Sequence, residues 1–234
     1  MWVIIPVKDL DKAKTRLAGS LCSEERKQFC LAILRDQIAA LKSLAAVSHI
    51  ILLSRDKSCR ELAAETAIEL LTLETDTGLN EGLTAALEIL YSRGCRQAMI
   101  LHGDIPLLGS EAIGKLIDIH QTSGGLTLVP SNKKDGTNIM AIDLPLKFRL
   151  NYGASSLDKH IKEAGQNSIG YNIVQDDNLG LDIDTDIEFN TLENTKQIPH
   201  HCAHFLELRR RKKQENTVAD NRNTDPVLQS IATL

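Results

Sequence analysis

The sequence predicts an α/β protein with a mostly parallel, doubly wound sheet. Short apolar runs alternate with segments of helical period across roughly residues 1–190, the pattern of strand–helix–strand units. Apolar residues make up 42% of the 234-residue chain and aromatics only 3%, so Leu, Ile, Val and Ala must build the core. The polar and charged motifs fall on loops after strands, the edge at which such sheets bind ligands.

The elements follow in order. Residues 3–7 read as the first buried strand rather than a leader, because the start has no basic segment, no longer apolar run and no cleavage site. A helix over 23–44 has Ser23 as its cap and Glu24 and Glu25 in its first turn. A second strand spans 47–54, a helix 57–66 and a third strand 68–73. Residues 80–92 are helical, with Leu83, Leu87 and Leu90 on one face. A strand at 98–101 delivers Asp104, and a helix follows at 110–122. Segments 125–130 and 138–142 read as paired strands around a loop. A helix at 155–164, late strands at 171–174 and 181–183, and a helix from Asp186 complete a domain of residues 1–196. From residue 197 the chain turns basic and polar, through Arg209-Arg210-Arg211-Lys212-Lys213. Residues 197–234 therefore read as an appended tail, one helix followed by disorder.

Composition excludes several classes. A net charge of −4 does not suit a nucleic-acid binder. No apolar run is long enough to span a membrane. The five cysteines (Cys22, Cys30, Cys59, Cys95, Cys202) show no Cys-x-x-Cys spacing, which points to reduced thiols in a cytoplasmic protein.

The chemistry is concentrated in a few motifs. Asp182 and Asp184, in Gly180-Leu181-Asp182-Ile183-Asp184-Thr185, are two residues apart. On an extended strand both carboxylates face one side and make a seat for a hard cation such as Mg²⁺. Asp104, in Gly103-Asp104-Ile105-Pro106, is a third carboxylate after a strand; a plain turn is its other reading. Lys8, Lys12, Lys14 and Arg16 follow the first strand, as cations for phosphate groups or as a solvated basic loop. Neither Gly-x-x-x-x-Gly-Lys-Ser/Thr nor Gly-x-Gly-x-x-Gly occurs there, which excludes a P-loop and an ordinary dinucleotide fold. Asn80, in Gly78-Leu79-Asn80, caps a helix or meets a base or ribose. Gly136-Thr137-Asn138 on a loop, and Gly153-Ala154-Ser155-Ser156 ahead of a helix, offer donors to an anion; a hairpin turn and a Ser cap are the plainer readings. His160 by itself says little. His200 and His204 share a helix face, but a metal site there needs further ligands.

Taken together, these segments resemble the guanylyltransferases of coenzyme F420 biosynthesis, the CofC/FbiD family. The resemblance rests on Ile5-Pro6-Val7-Lys8 with Ala13-Lys14-Thr15-Arg16-Leu17, Gly78-Leu79-Asn80, Gly103-Asp104-Ile105-Pro106-Leu107-Leu108, Pro130-Ser131 with Gly136-Thr137-Asn138, Gly153-x-x-Ser156-x-x-x-His160, and Leu181-Asp182-Ile183-Asp184-Thr185. It implies a nucleotide-diphospho-sugar transferase fold of the glycosyltransferase-A type. It also implies transfer of GMP from GTP to the phosphate of 2-phospho-L-lactate, phosphoenolpyruvate or 3-phospho-D-glycerate. The product would pass to the next transferase of the pathway. Carried over by position, Asp104, Asp182 and Asp184 would hold Mg²⁺, and Thr137, Gly153 and Ser156 the phospho-acid. Lys14 and Arg16 would act on phosphates beside Asp104, and Lys8, Lys14 and Asn80 would contact the nucleotide. Three positions depart from the family pattern: His102-Gly103 stands where a small residue is expected ahead of the Asp, Asp135 replaces a second Gly, and Ser155 replaces a common Gly. Other open readings are a molybdopterin or sugar-phosphate nucleotidyltransferase, a glycosyltransferase using Asp182-x-Asp184, and a non-catalytic nucleotide-binding protein. A homodimer is compatible with the sequence.

Overall fold

In a computed structural model of the protein, the backbone is described for residues 1–223 and side chains through Glu215. The expected disorder at the extreme C-terminus lies outside the described residues. A seven-stranded sheet runs in the order β3-β2-β1-β4-β6-β5-β7. Its strands are β1 (Trp2–Pro6), β2 (His49–Leu53), β3 (Glu69–Leu71), β4 (Gln97–Leu101), β5 (Leu126–Pro130), β6 (Thr137–Asp143) and β7 (Tyr171–Ile173). β1 pairs parallel with β2 and β4, β2 with β3, and β5 with β7. β6 alone is reversed and pairs antiparallel with β4 and β5. Two consecutive strands joined by a short loop can pair only this way. The segment 181–183 is a correction. It joins no sheet among the described residues, and Ile183 N–H donates instead to the Asp104 carbonyl at 3.1 Å.

Side chains alternate across the sheet at the two-residue period of a strand. Val3 and Ile5 of β1 pack with α1 (Ser23–Lys42), α2 (Lys57–Glu65) and α4 (Ser110–Ser123). Ile4 faces the other way, toward α3 (Leu79–Ser92) and α5 (Ser156–Gln166). The sheet is therefore covered on both faces, as double winding requires.

α1 is apolar on two sides. Cys30, Leu31, Leu34 and Ile38 face the sheet. Phe29, Ala32 and Ile33 face α6 (Asp186–Glu193) and α7 (His200–Asn223). The helix expected in the tail is present, and its first turns pack on α1 through the fully buried Cys202 and Leu206. The buried Asp36 carboxylate of α1 accepts the N–H groups of His201 and Cys202 at 2.9 and 2.8 Å, capping α7 from another helix. Within the basic run Arg209 is only 6% exposed, its guanidinium 3.1 Å from Glu193 and over the Phe189 ring. Arg210 and Arg211 remain exposed. Leu206→Ala is expected to destabilise the protein by about 3 kcal/mol through the cavity it leaves. A loss of unfolding free energy below about 1 kcal/mol in urea melts would show that α7 is only loosely docked.

Candidate active site

Four parallel strands, β3, β2, β1 and β4, end along one edge of the sheet. The loops after them enclose a cavity of about 1080 Å³. The loop after β1 is shaped by two 3₁₀ turns, Leu10–Lys12 and Thr15–Leu17, each anchored by a buried leucine. Arg26 of α1 donates to the carbonyls of Ala13 and Leu21, and Leu10 N–H donates to Asp56. Between the turns Lys14 adopts the left-handed conformation, φ 52° and ψ 40°. That backbone directs its side chain inward, where it is only 11% exposed.

The Lys14 ammonium lies 2.7 Å from Asp104 Oδ2 and 3.0 Å from Asp184 Oδ1. Burial works against its charge, but the two carboxylates outweigh burial and hold its pKa above the usual lysine range. Burial likewise pushes Asp104 up, and the adjacent ammonium more than reverses this, so its pKa lies below the usual range. Asp182 goes the other way, raised by burial and by the charges of Asp104 and Asp184. The backbone explains part of the arrangement: Leu181 and Ile183 are buried, and of the two aspartates beside them Asp184 lines the cavity while Asp182 does not. The hydrogen bond from Ile183 to Asp104 locks the two acidic segments together.

The expected three-carboxylate metal seat is present only in part. Among the described residues no three metal-capable side chains converge on one ion position. The Lys14 ammonium stands where the Asp104 and Asp184 oxygens meet, and Asp104 Oδ1 is buried with no hydrogen-bond partner among the described residues. Two hard carboxylates with a spare oxygen suit Mg²⁺, which binds through one or two carboxylates together with substrate phosphates. His200, His201 and His204 form no such group either.

The second cluster, around Thr137, Gly153 and Ser156, does not line that cavity. Thr137, Ser156 and His160 are all buried. Ser156 Oγ accepts from Thr137 N–H at 2.9 Å, and Thr137 Oγ1 is 3.0 Å from His160 Nδ1. Gly153, at φ 123°, turns the chain just ahead of them. Ser155 stands at the cap position of α5 with φ 53°, but its side chain makes no capping hydrogen bond. Asp135 accepts from the Ser131 hydroxyl inside the β5–β6 loop. Between the clusters the His102 and Tyr152 rings meet at a tilt with centroids 5.0 Å apart, and Tyr152 meets His160 edge to face at 4.8 Å.

The family model "Guanylyl transferase CofC like" matches residues 1–195. The chain belongs to that family.

Within the CofC-like guanylyl transferases, the phosphoenolpyruvate guanylyltransferase of Sphaerobacter thermophilus is 30% identical over 189 residues, 81% of this chain and 90% of the relative. The 2-phospho-L-lactate guanylyltransferase of Methanothermobacter thermautotrophicus is 29% identical over 222 residues, 95% and 94% of the two chains. A solved structure assigned as a nucleotide-diphospho-sugar transferase, from Desulfovibrio desulfuricans, shares the fold at TM-score 0.70 and 14% identity, covering 88% of this chain and 93% of its own. A cytidylyltransferase of Leptospira borgpetersenii does so at 0.56 and 14%, covering 91% and 94%. The expected fold type is thus met, and the chain is a nucleotidyltransferase of the guanylyltransferase kind.

For this CofC-like chain, Lys8 and Arg16 are exposed on the cavity wall with Lys14. Asn80 must be corrected. It does not cap α3, whose cap is Gly78, and it is not on the cavity wall. Its amide accepts from Tyr152 N–H at 2.7 Å and donates to the Tyr152 carbonyl at 3.1 Å, so both ends are committed to the backbone. Sequence reasoning missed Tyr152 and Lys133. Lys133 pairs with Glu188 at 2.7 Å, and the Glu188 carboxylate also accepts from Thr185 N–H and Oγ1. That pair fixes the end of the Asp182–Asp184 segment. The capping pattern Thr185-x-x-Glu188 was its visible signal.

His160 carries a pH dependence. Its Nε2 accepts from Asn151 N–H at 3.0 Å, so in the neutral ring the proton is on Nδ1. Burial lowers its pKa to about 4, from 6.5. The unfolded chain therefore binds one more proton between those values. Stability is complete above pH 6.5 and is lost as pH falls toward 4, by about 3 kcal/mol for this residue. Burial lowers His102 and His120 in the same direction. His160→Gln is expected to flatten the slope of unfolding free energy in that window by about 1.4 kcal/mol per pH unit. An unchanged slope in denaturant melts would refute the buried neutral imidazole.

Proposed function

We propose that this chain transfers GMP from GTP to the phosphate of a small phospho-acid, with Mg²⁺ bound at Asp104 and Asp184 and Asp182 beside them. The observation that carries this reading is the Lys14 bridge, in which two carboxylates aim oxygens at a single cation position inside the cavity. In the reaction a phosphate oxygen of the acid bonds to the α-phosphorus of GTP. The bond from that phosphorus to the β-phosphate bridging oxygen breaks, and pyrophosphate leaves. Bound Mg²⁺ would supply charge neutralisation for the triphosphate and the departing pyrophosphate.

The protein's own part is positioning and charge balance. An ionised acceptor phosphate needs no strong base. Lys14, Lys8 and Arg16 balance phosphate charge along the wall of the cavity. Thr137, Gly153 and Ser156 hold the phospho-acid, helped by backbone N–H groups at the uncapped start of α5. His102 and Tyr152 join the two clusters. The relatives' two named acids, phosphoenolpyruvate and 2-phospho-L-lactate, share a phosphate and a carboxylate with 3-phospho-D-glycerate, so all three belong to the substrate class. A cytoplasmic location and transfer of the labile product to the next F420-pathway transferase are part of this reading.

The test is pyrophosphate release from GTP and Mg²⁺ with each acid in parallel, coupled to the next enzyme. Release with one acid well above the other two supports the reading and names the substrate. No release above background with any of them overturns it.

A further inference from the structure

The cavity holds a surplus of carboxylates, and accounting for each isolates one. Six aspartates line it: Asp9, Asp11, Asp56, Asp76, Asp104 and Asp184. Asp9 accepts from Asp11 N–H and pairs with Lys12 at 3.2 Å. Asp11 pairs with Lys27 at 2.8 Å. Asp56 accepts from Leu10, Ser58 and Cys59 N–H groups and caps α2. Asp104 and Asp184 share the Lys14 ammonium. Asp76 is different: among the described residues it has no cation and no helix to cap. Its one hydrogen bond among them is from Gly78 N–H at 3.2 Å, and the exposed residue lines the cavity.

Sheet order then places this carboxylate relative to the reacting phosphates. Asp104 follows β4 and Asp76 follows β3, with β1 and β2 between them. Three inter-strand steps separate those loops by about 14 Å. An extended nucleoside triphosphate with its phosphates at the Lys14 end would bring its base to the loop after β3. That end of the cavity also carries the apolar Leu73 and Leu79, suited to a base face.

We propose that Asp76 reads the guanine base, its carboxylate accepting N1–H and the N2 amine together. Guanine presents two adjacent donors on its Watson–Crick edge; adenine, cytosine and uracil do not. A carboxylate is an acceptor only, with two oxygens at the matching spacing. The assignment rests on the function proposed above and adds the residue that selects GTP.

The experiment uses the full chain and its Asp76→Asn variant, with GTP, ITP and XTP. ITP lacks the N2 amine, and XTP replaces it with an oxygen that an Asn amide can donate to. The wild type is expected to prefer GTP over ITP and XTP. Asp76→Asn is expected to lose about 100-fold in kcat/KM for GTP and to gain on XTP, with an unchanged thermal melt. An unchanged GTP-to-XTP ratio overturns the assignment and leaves the proposed function standing. If the wild type releases no pyrophosphate with any acid, the proposed function fails instead. Equilibrium dialysis of GTP and XTP against both proteins then decides Asp76 by itself: reversal of the binding preference supports it, and the same preference in both proteins overturns it.

Discussion

Replacing Lys14 by methionine is expected to lower kcat/KM for pyrophosphate release by about 10³-fold, the scale of losing a preorganised electrostatic contact. Methionine keeps the bulk of the side chain and removes its charge. The same change is expected to act on folding in a metal-dependent way. Without divalent ions the ammonium is the near counter-charge to Asp104, and removing it leaves a mostly buried carboxylate opposed by its neighbours Asp182 and Asp184. Breaking such a pair by removing one partner costs about 3 kcal/mol when it is well buried. The Asp184 side chain is 43% exposed, so solvent screens its share and the Asp104 contact dominates. Added Mg²⁺ should restore much of the lost stability to Lys14→Met and little to the wild type, because it supplies the missing positive charge. Paired thermal melts with and without Mg²⁺ make the check. A Lys14→Met protein with near-normal turnover, or one whose melt ignores Mg²⁺, would remove Lys14 from the site. Arginine should rescue poorly, since its planar fork cannot take the place of a compact ammonium between two carboxylates.

Asp104→Ala is expected to reduce turnover by more than about 10³-fold while the protein stays folded. The fold survives because Asp104 docks the acidic segment through its backbone. It is the Asp104 carbonyl, not the carboxylate, that accepts from Ile183 N–H. Lys14 keeps Asp184 as a partner in the variant. The effects should rank Asp104 above Asp184 above Asp182, because only the first two contact the Lys14 ammonium. Circular dichroism melts beside pyrophosphate assays separate folding from chemistry. An Asp104→Ala enzyme with near-normal pyrophosphate release would falsify the metal-site assignment.

Much of this was legible before the structure. The strand-end rule placed Asp104 on the loop after β4, where it lines the cavity, because that rule acts over a few residues. The two-residue period did not carry over to the acidic pair, of which Asp184 lines the cavity and Asp182 does not. The same local rules failed for Asn80. An Asn just after a turn Gly is a good cap by sequence, but Tyr152, 72 residues away, takes both ends of its amide. The segment 181–183 has strand character without a sheet, because its hydrogen-bonding partner is the Asp104 loop and not another strand. Residues 197 onward looked detachable because their charge was read alone. The sign that they dock was elsewhere, in Phe29-Cys30-Leu31-Ala32-Ile33-Leu34, a helical run apolar on all sides. A helix apolar all round needs cover on both faces, and α7 and α6 supply the second.

The sequence by itself determined the alternating α/β architecture, the loop positions of the acidic and basic motifs, and the family resemblance. Each depends on neighbours within a turn or a strand. Only the tertiary structure decided that Lys14 bridges Asp104 and Asp184, across 90 and 170 residues of chain. It alone decided that Asp36 caps α7 from 165 residues away, and that Asp76 is the cavity aspartate with neither a cation nor a helix to cap among the described residues. Such pairings are chosen by which loops the sheet order brings together. No local period or spacing encodes them, because a charge finds its partner through space and not along the chain.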